Sequence, residues 1–218
     1  MDLLKKGFYF LLAATVLVAC SDDDDTPVGP IDGGGGNSDH PLAGTSWSIS
    51  SEVGALVVAE TLDKALGDMS GATAGGNENP HGAWWYFSQW GDDSVARACL
   101  LDDTYVFNAD GSFTQTMGAD TWVEAWQGND PEGCAAPVAP HNGANAATWT
   151  ATSTTVTVTG DGAFLGLAKV TNTAEDGNPA DDTTTYNYEL SEDGNKLTLH
   201  IQGFQDSDAA WVYRMTKN

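Results

Sequence analysis

Five of the chain's eight tryptophans fall between Trp84 and Trp126. Sugars present apolar C–H faces that stack on flat aromatic rings, and their hydroxyls need carboxylates and amides at the edge. This stretch carries both kinds of group. Trp85, Trp90, Trp122 and Trp126 stand among Gln89, Asp92, Asp93, Glu124 and Gln127. We therefore take Trp85, Trp90, Trp122, Glu124, Trp126 and Gln127 as a candidate ligand-binding set. Trp84 and Trp85 are adjacent, so on a strand their side chains point to opposite faces, one inward and one outward. Trp122 and Trp126 are four apart, so on a regular strand they share a face with Glu124 between them. Trp47, Trp149, Trp211 and one of the Trp84/Trp85 pair are expected in the core, where tryptophan is usually well buried.

Catalytic chemistry has less support. The chain has no nucleophile motif, phosphate-binding loop or clustered metal triad. Glycoside hydrolysis needs two carboxyls about 5–10 Å apart, and Glu124 with Asp120 or Glu132 is the pair to examine. His81, His141 and His200 are scattered, and there is no CxxC and no close histidine pair, so zinc is poorly supported. Asp102-Asp103 and Asp181-Asp182 could contribute oxygens to a calcium ion, though solvated turn acids are the simpler reading. No other cofactor is implied. The balance favours binding over catalysis.

The elements that must position these residues read as β almost throughout. Tyr186, Tyr188 and Leu190 alternate, then Leu197, Leu199 and Ile201 alternate after a Ser191–Asn195 turn whose Gly194 allows positive φ. Tyr105 and Phe107 lead through Asn108-Ala109-Asp110-Gly111 to Phe113, a second hairpin. Further strands are expected at Thr45–Ile49, Ala83–Phe87, Thr121–Ala125, Ala147–Ala151, Thr154–Val158 and Trp211–Met215. In the last, Trp211, Tyr213 and Met215 share a face. Glu52–Leu66 is loosely helical in period and fits equally a strand followed by a short helix. Gly67–Gly82 lacks strand signal and reads as a long loop at the site's edge. Short strands separated by glycine and polar turns predict an all-β domain, a single antiparallel β-barrel or β-sandwich.

At the other end of the chain, Lys5 and Lys6 precede an apolar run from Gly7 to Ala19. That run is shorter than the roughly 20 residues a membrane-spanning helix needs and has the layout of a secretory signal. It ends Leu17-Val18-Ala19-Cys20, which resembles the lipobox of bacterial lipoproteins. The resemblance implies a signal peptide over residues 1–19 and a lipidated Cys20 that anchors the chain to a membrane. The acidic run Asp22–Asp25 resembles the export signal of surface lipoproteins, implying an outer-membrane, cell-surface location. Residues 20–41 read as a flexible acidic tether, rich in proline and glycine. Its root-mean-square reach is on the order of 25 Å. Residues 42–218 form one β-rich domain with room for a real core.

The formal net charge is −23. Without residues 1–19, six basic side chains face 30 acidic ones, or −24. Such a chain is repelled by nucleic-acid phosphates, so nucleic acid is excluded as a partner. With Cys20 lipidated, Cys99 and Cys134 remain. Outside the cytoplasm two cysteines usually pair, and this bridge would be worth roughly 4 kcal/mol. Two free buried thiols are the alternative.

Gly44-Thr45-Ser46-Trp47, the Tyr105–Phe113 segment, Leu190–Leu197 and the closing aromatic strand occur in an order that resembles small lipocalin-like domains of bacterial lipoproteins. Trp122–Gly128, Gly133–His141 and Ala98–Phe107 are similar to segments in accessory domains of glycan-degrading systems. The resemblance implies non-catalytic capture of polysaccharide or oligosaccharide at the cell surface, beside an outer-membrane uptake complex. Two other functions fit the same residues: a carrier of a small apolar ligand in a cavity lined by Tyr186, Tyr188 and Trp211, or a structural accessory lipoprotein.

Overall fold

Alternating apolar side chains close this chain into a barrel rather than an open sandwich. The computed structural model describes residues 37–72, 81–87, 96–170, 182–203 and 208–218. Eight antiparallel strands form the ring: Thr45–Ile49 (β1), Thr104–Phe107 (β4), Ser112–Thr116 (β5), Ala147–Ala151 (β8), Thr155–Thr159 (β9), Thr183–Leu190 (β10), Lys196–Gln202 (β11) and Ala210–Lys217 (β12). They neighbour one another in that order, and β12 pairs back onto β1. Closure leaves the ring no free edge. The expected hairpins occur where the turn residues placed them: Gly111 and Gly194 both have positive φ.

Leu56–Ala59 (β2) and Trp85–Tyr86 (β3) extend the sheet beside β12. β1 and β2 both pair with β12, at Ile49↔Met215 and Leu56↔Tyr213, so they act as one strand line interrupted between Ser50 and Ala55. The Arg214 backbone bridges the gap: Ser50 N donates to its carbonyl at 2.9 Å, and its N–H donates to Ala55 O at 2.7 Å. Thus the Glu52–Leu66 segment takes the strand-then-helix form, with Leu62–Leu66 (α1) following β2. Thr61 caps α1 by accepting from Lys64 N. The Arg214 guanidinium closes its other end, donating to Leu66 O at 3.0 Å and Gly67 O at 3.2 Å, and to Gly54 O at 2.6 Å.

Alternation along β12 divides two cores. Trp211, Tyr213 and Met215 join the large cluster with Trp47, Tyr105, Phe107, Trp149, Tyr186 and Leu199. Ala210 and Val212 face the other way, against Ala65 of α1 with Val57 and Tyr86. The segment Ala163–Val170 was not foreseen as an element. It enters the large cluster as irregular chain, with Phe164, Leu165, Leu167 and Val170 buried. Interior polar groups satisfy its backbone: Phe164 N donates to Gln115 Oε1 at 3.1 Å, Leu165 N to Tyr186 Oη at 3.0 Å, and Tyr105 Oη to Gly166 O at 3.4 Å. A buried loop is tolerable only on such terms.

A hairpin, Thr121–Val123 (β6) with Gly133–Ala135 (β7), is inserted between β5 and β8. Cys99, in the 3-10 turn Ala98–Leu100, is disulfide-bonded to Cys134 on β7, with Cα atoms 5.9 Å apart. The bridge expected from the sequence is therefore formed.

Candidate functional site

Strand register builds the floor of a cleft at the end of the barrel where β2 finishes and β12 begins. Trp85 pairs with Val58, and Val58 pairs with Trp211. Directly paired residues on antiparallel strands share a face, so the three form one row across β3, β2 and β12. The valine between them is small enough for the two indoles to approach, with centroids 6.0 Å apart and planes inclined at 52°. Trp211 is buried and Trp85 half-buried.

Two cations complete the walls. The cleft has a volume of about 190 Å³ and is lined by Val58, Trp85, Arg97, Lys169 and Trp211. The Arg97 guanidinium carbon lies 4.8 Å from the Trp85 ring centroid and 3.7 Å from that of Trp122. Cation–π contacts of this kind are worth about 0.5–2 kcal/mol each. The disulfide explains why Arg97 meets Trp122: Arg97 is two residues before Cys99, and Trp122 is the cross-strand partner of Cys134. Lys169 lies near the end of the buried segment and places its ammonium 5.7 Å from the Trp211 ring.

Carboxyls stand behind these cations. Lys169 Nζ is 3.7 Å from Glu124 Oε1, and Arg97 Nη2 is 3.7 Å from Glu132 Oε1. Burial pushes the Glu124 carboxyl up to about 7, assisted by a hydrogen bond with Glu132 and opposed by Lys169. Glu124 thus faces Lys169 and Glu132 faces Arg97, so each carboxyl of this pair stands against a cation. Asp103, fully buried, accepts from Thr121 Oγ1 at 2.6 Å, and burial raises it to about 7. It is therefore a tied-down internal acid rather than a solvated turn residue. Among the described residues, no group of three or more His, Cys, Asp or Glu side chains could hold a metal ion.

The structure redistributes the residues singled out from sequence. Trp84 and Trp85 do alternate: Trp84 is 55% exposed, while Trp85 packs against the core. Trp47, Trp149 and Trp211 are core, as expected. Trp122, Glu124 and Trp126 do not share a strand face. β6 ends at Val123, and Ala125–Gln127 is a 3-10 turn. Glu124 N donates to Gln127 Oε1 at 2.9 Å, so Gln127 closes this turn locally. Trp126, half-buried, meets His141 edge-on at 5.4 Å, away from the cleft lining. Glu124 is 4% exposed and faces Lys169 rather than solvent. Trp90, Gln89, Asp92, Asp93, Asp181 and Cys20 lie outside the described residues, as does half of Gly67–Gly82.

Sequence reasoning missed Arg97 and Lys169 as cleft residues, and placed Trp211 in the core or, with Tyr186 and Tyr188, around an interior cavity rather than beside Trp85. Their rarity was a usable signal, because residues 42–218 contain only six basic side chains. Comparison of the chain with protein-family models yields no match, and comparison with curated proteins yields none either.

Proposed function

We propose that this protein is a lipid-anchored, lipocalin-like lipoprotein of the bacterial outer-membrane surface that binds glycan without catalysis. The observation that carries the reading is the Trp85–Val58–Trp211 row, which opens two converging indoles onto one cleft beside fixed hydrogen-bond donors. An apolar sugar face has aromatic area to meet there. A cleft held by paired strands and a disulfide loses little entropy on binding. The location rests on the lipobox-like Leu17–Cys20 and the acidic run after it.

The reading is narrower than an open tryptophan shelf. Trp122 serves by holding Arg97, and Glu124 by facing Lys169. A volume of about 190 Å³ falls below the roughly 300–1,000 Å³ of drug-sized pockets. It therefore suits one ring of a chain rather than a long groove. The carrier alternative has less support, because Leu165 and Gly166 occupy the space beside Tyr186 and Tyr105. An accessory role within a larger complex draws on Trp84, whose ring is mostly exposed.

Affinity electrophoresis through gels containing a broad panel of polysaccharides tests the proposal. Wild type should be retarded by at least one polymer, and Trp85→Ala should lose most of that retardation while keeping the fold. Unaltered migration of wild type across the panel would count against glycan capture.

A further inference from the structure

We infer that Asn142 is a site of spontaneous covalent modification: in the folded protein its side-chain amide closes onto the Gly143 nitrogen, leaving an isoaspartyl link in the loop that packs on Gln115. The inference stands apart from what the cleft binds. Asparagine is a thermolabile residue type, and Asn142-Gly143 is the chain's single Asn-Gly dipeptide. It lies half-buried between β7 and β8. Glycine puts no side chain in the way of the attacking nitrogen. The fold cannot dispense with it: Gly143 has φ +73°, and a Cβ there would lie 2.2 Å from Gln115 O.

Asn142 is held by the opposite end of its amide from other asparagines. In Asn37, Asn108, Asn129 and Asn145 the amide nitrogen donates, to Trp149 O, Thr114 Oγ1, Gly133 O and Asp161 O respectively. Each of these bonds ties down the group that would have to leave. At Asn142 the bond falls on the carbonyl oxygen, which accepts from Ala144 N at 3.1 Å. A side chain that reaches the N–H two residues on carries its carbonyl carbon beside the nitrogen one residue on. The Ala144 N–H also faces the oxygen that gathers negative charge as that nitrogen attacks, the arrangement that stabilises an oxyanion. The Gly143 nitrogen gives up its proton and bonds to Cγ, the Cγ–Nδ2 bond breaks, and ammonia leaves with the proton. Water then opens the cyclic imide. Opening at Cγ gives aspartate; opening at the main-chain carbonyl of residue 142 gives isoaspartate, whose backbone is one methylene longer. That methylene has no room. Gly143 abuts Gln115, whose Nε2 donates to Gly162 O at 3.0 Å and whose Oε1 accepts from Phe164 N at 3.1 Å. The modification therefore reaches the buried Ala163–Val170 segment.

The test ages the purified protein at mildly alkaline pH, native and in urea. Mass spectrometry follows each asparagine peptide, and an isoaspartate-specific methyltransferase counts the rearranged product. In the native protein Asn142 should convert about tenfold or more faster than Asn37, Asn108, Asn129 or Asn145. Its native rate should also stay within about tenfold of its rate in urea. Aged wild type should melt several degrees below fresh protein, whereas Asn142→Gln should neither convert at that position nor lose Tm on ageing. Native conversion more than about tenfold below the unfolded rate, or conversion spread evenly over the asparagines, overturns the site. Conversion at Asn142 with an unchanged Tm overturns its reach through Gln115. If Asn142→Gln folds poorly, the comparison of native with urea-unfolded wild type still decides the matter.

Discussion

Glu124 and Asp103 are carboxyls that the fold keeps largely out of water, and burial raises each to about 7. Their ordinary values are 4.5 and 3.8. A raised folded-state value means that the native protein holds the proton more tightly than the unfolded chain does. The associated stability is complete below about pH 4 and is lost as pH rises through about 7. We expect the urea midpoint to fall between pH 5 and pH 8 by on the order of 1–3 kcal/mol of stability from these two groups. Asp103→Asn should remove its part of that slope and stabilise the protein at pH 8, and an undiminished slope in the variant would contradict the assignment. Gly166 poses a steric test. Its φ is +81°, and an added Cβ would land on the Tyr213 ring. Gly166→Ala should therefore lower Tm by several degrees, an effect on the order of 1–3 kcal/mol. A Tm equal to wild type would mean that the buried segment is not seated as described.

At the level of elements, the disulfide is what joins the Arg97 turn to the β6–β7 hairpin. Cys99→Ser with Cys134→Ser should cost about 2–4 kcal/mol and also weaken glycan retardation, because Arg97 loses its fixed place against Trp122. Loss of stability with full retardation would separate the bridge from the site. The strands were legible because alternation and turn chemistry agree: β1 and β8 fall on the expected residues, and the alternating Tyr186, Tyr188 and Leu190 and Leu197, Leu199 and Ile201 lie on β10 and β11. Two places were not legible. The Trp122–Trp126 stretch has strand-like composition, but Gln127 closes a turn on Glu124 and ends the alternation at Val123. Phe164–Val170 has no period of two, because its backbone bonds to the side chains of Gln115, Tyr186 and Tyr105 instead of a neighbouring strand. A single sequence carries no local sign of such long-range partners. The same holds for the cleft: Trp85, Val58 and Trp211 are far apart along the chain, and only register makes them a row.

On the scale of the whole molecule, a closed barrel with an occupied interior leaves the candidate cleft at one end, where three strands, the buried segment and the disulfide-bound hairpin converge. If the lipobox-like start and acidic tether act as proposed, protease added to intact cells removes the domain, whereas protection in cells shown to be intact would place it in the periplasm. The central claim, that a sugar ring enters between Trp85 and Trp211, is open to a residue-resolved readout. The indole N–H signals of the assigned tryptophans, followed by NMR during titration with a retarding oligosaccharide, report it directly. The account predicts saturable shifts at Trp85 and Trp211 with Trp47 and Trp149 unmoved. Shifts confined to Trp84, or no shift at any indole, would contradict it.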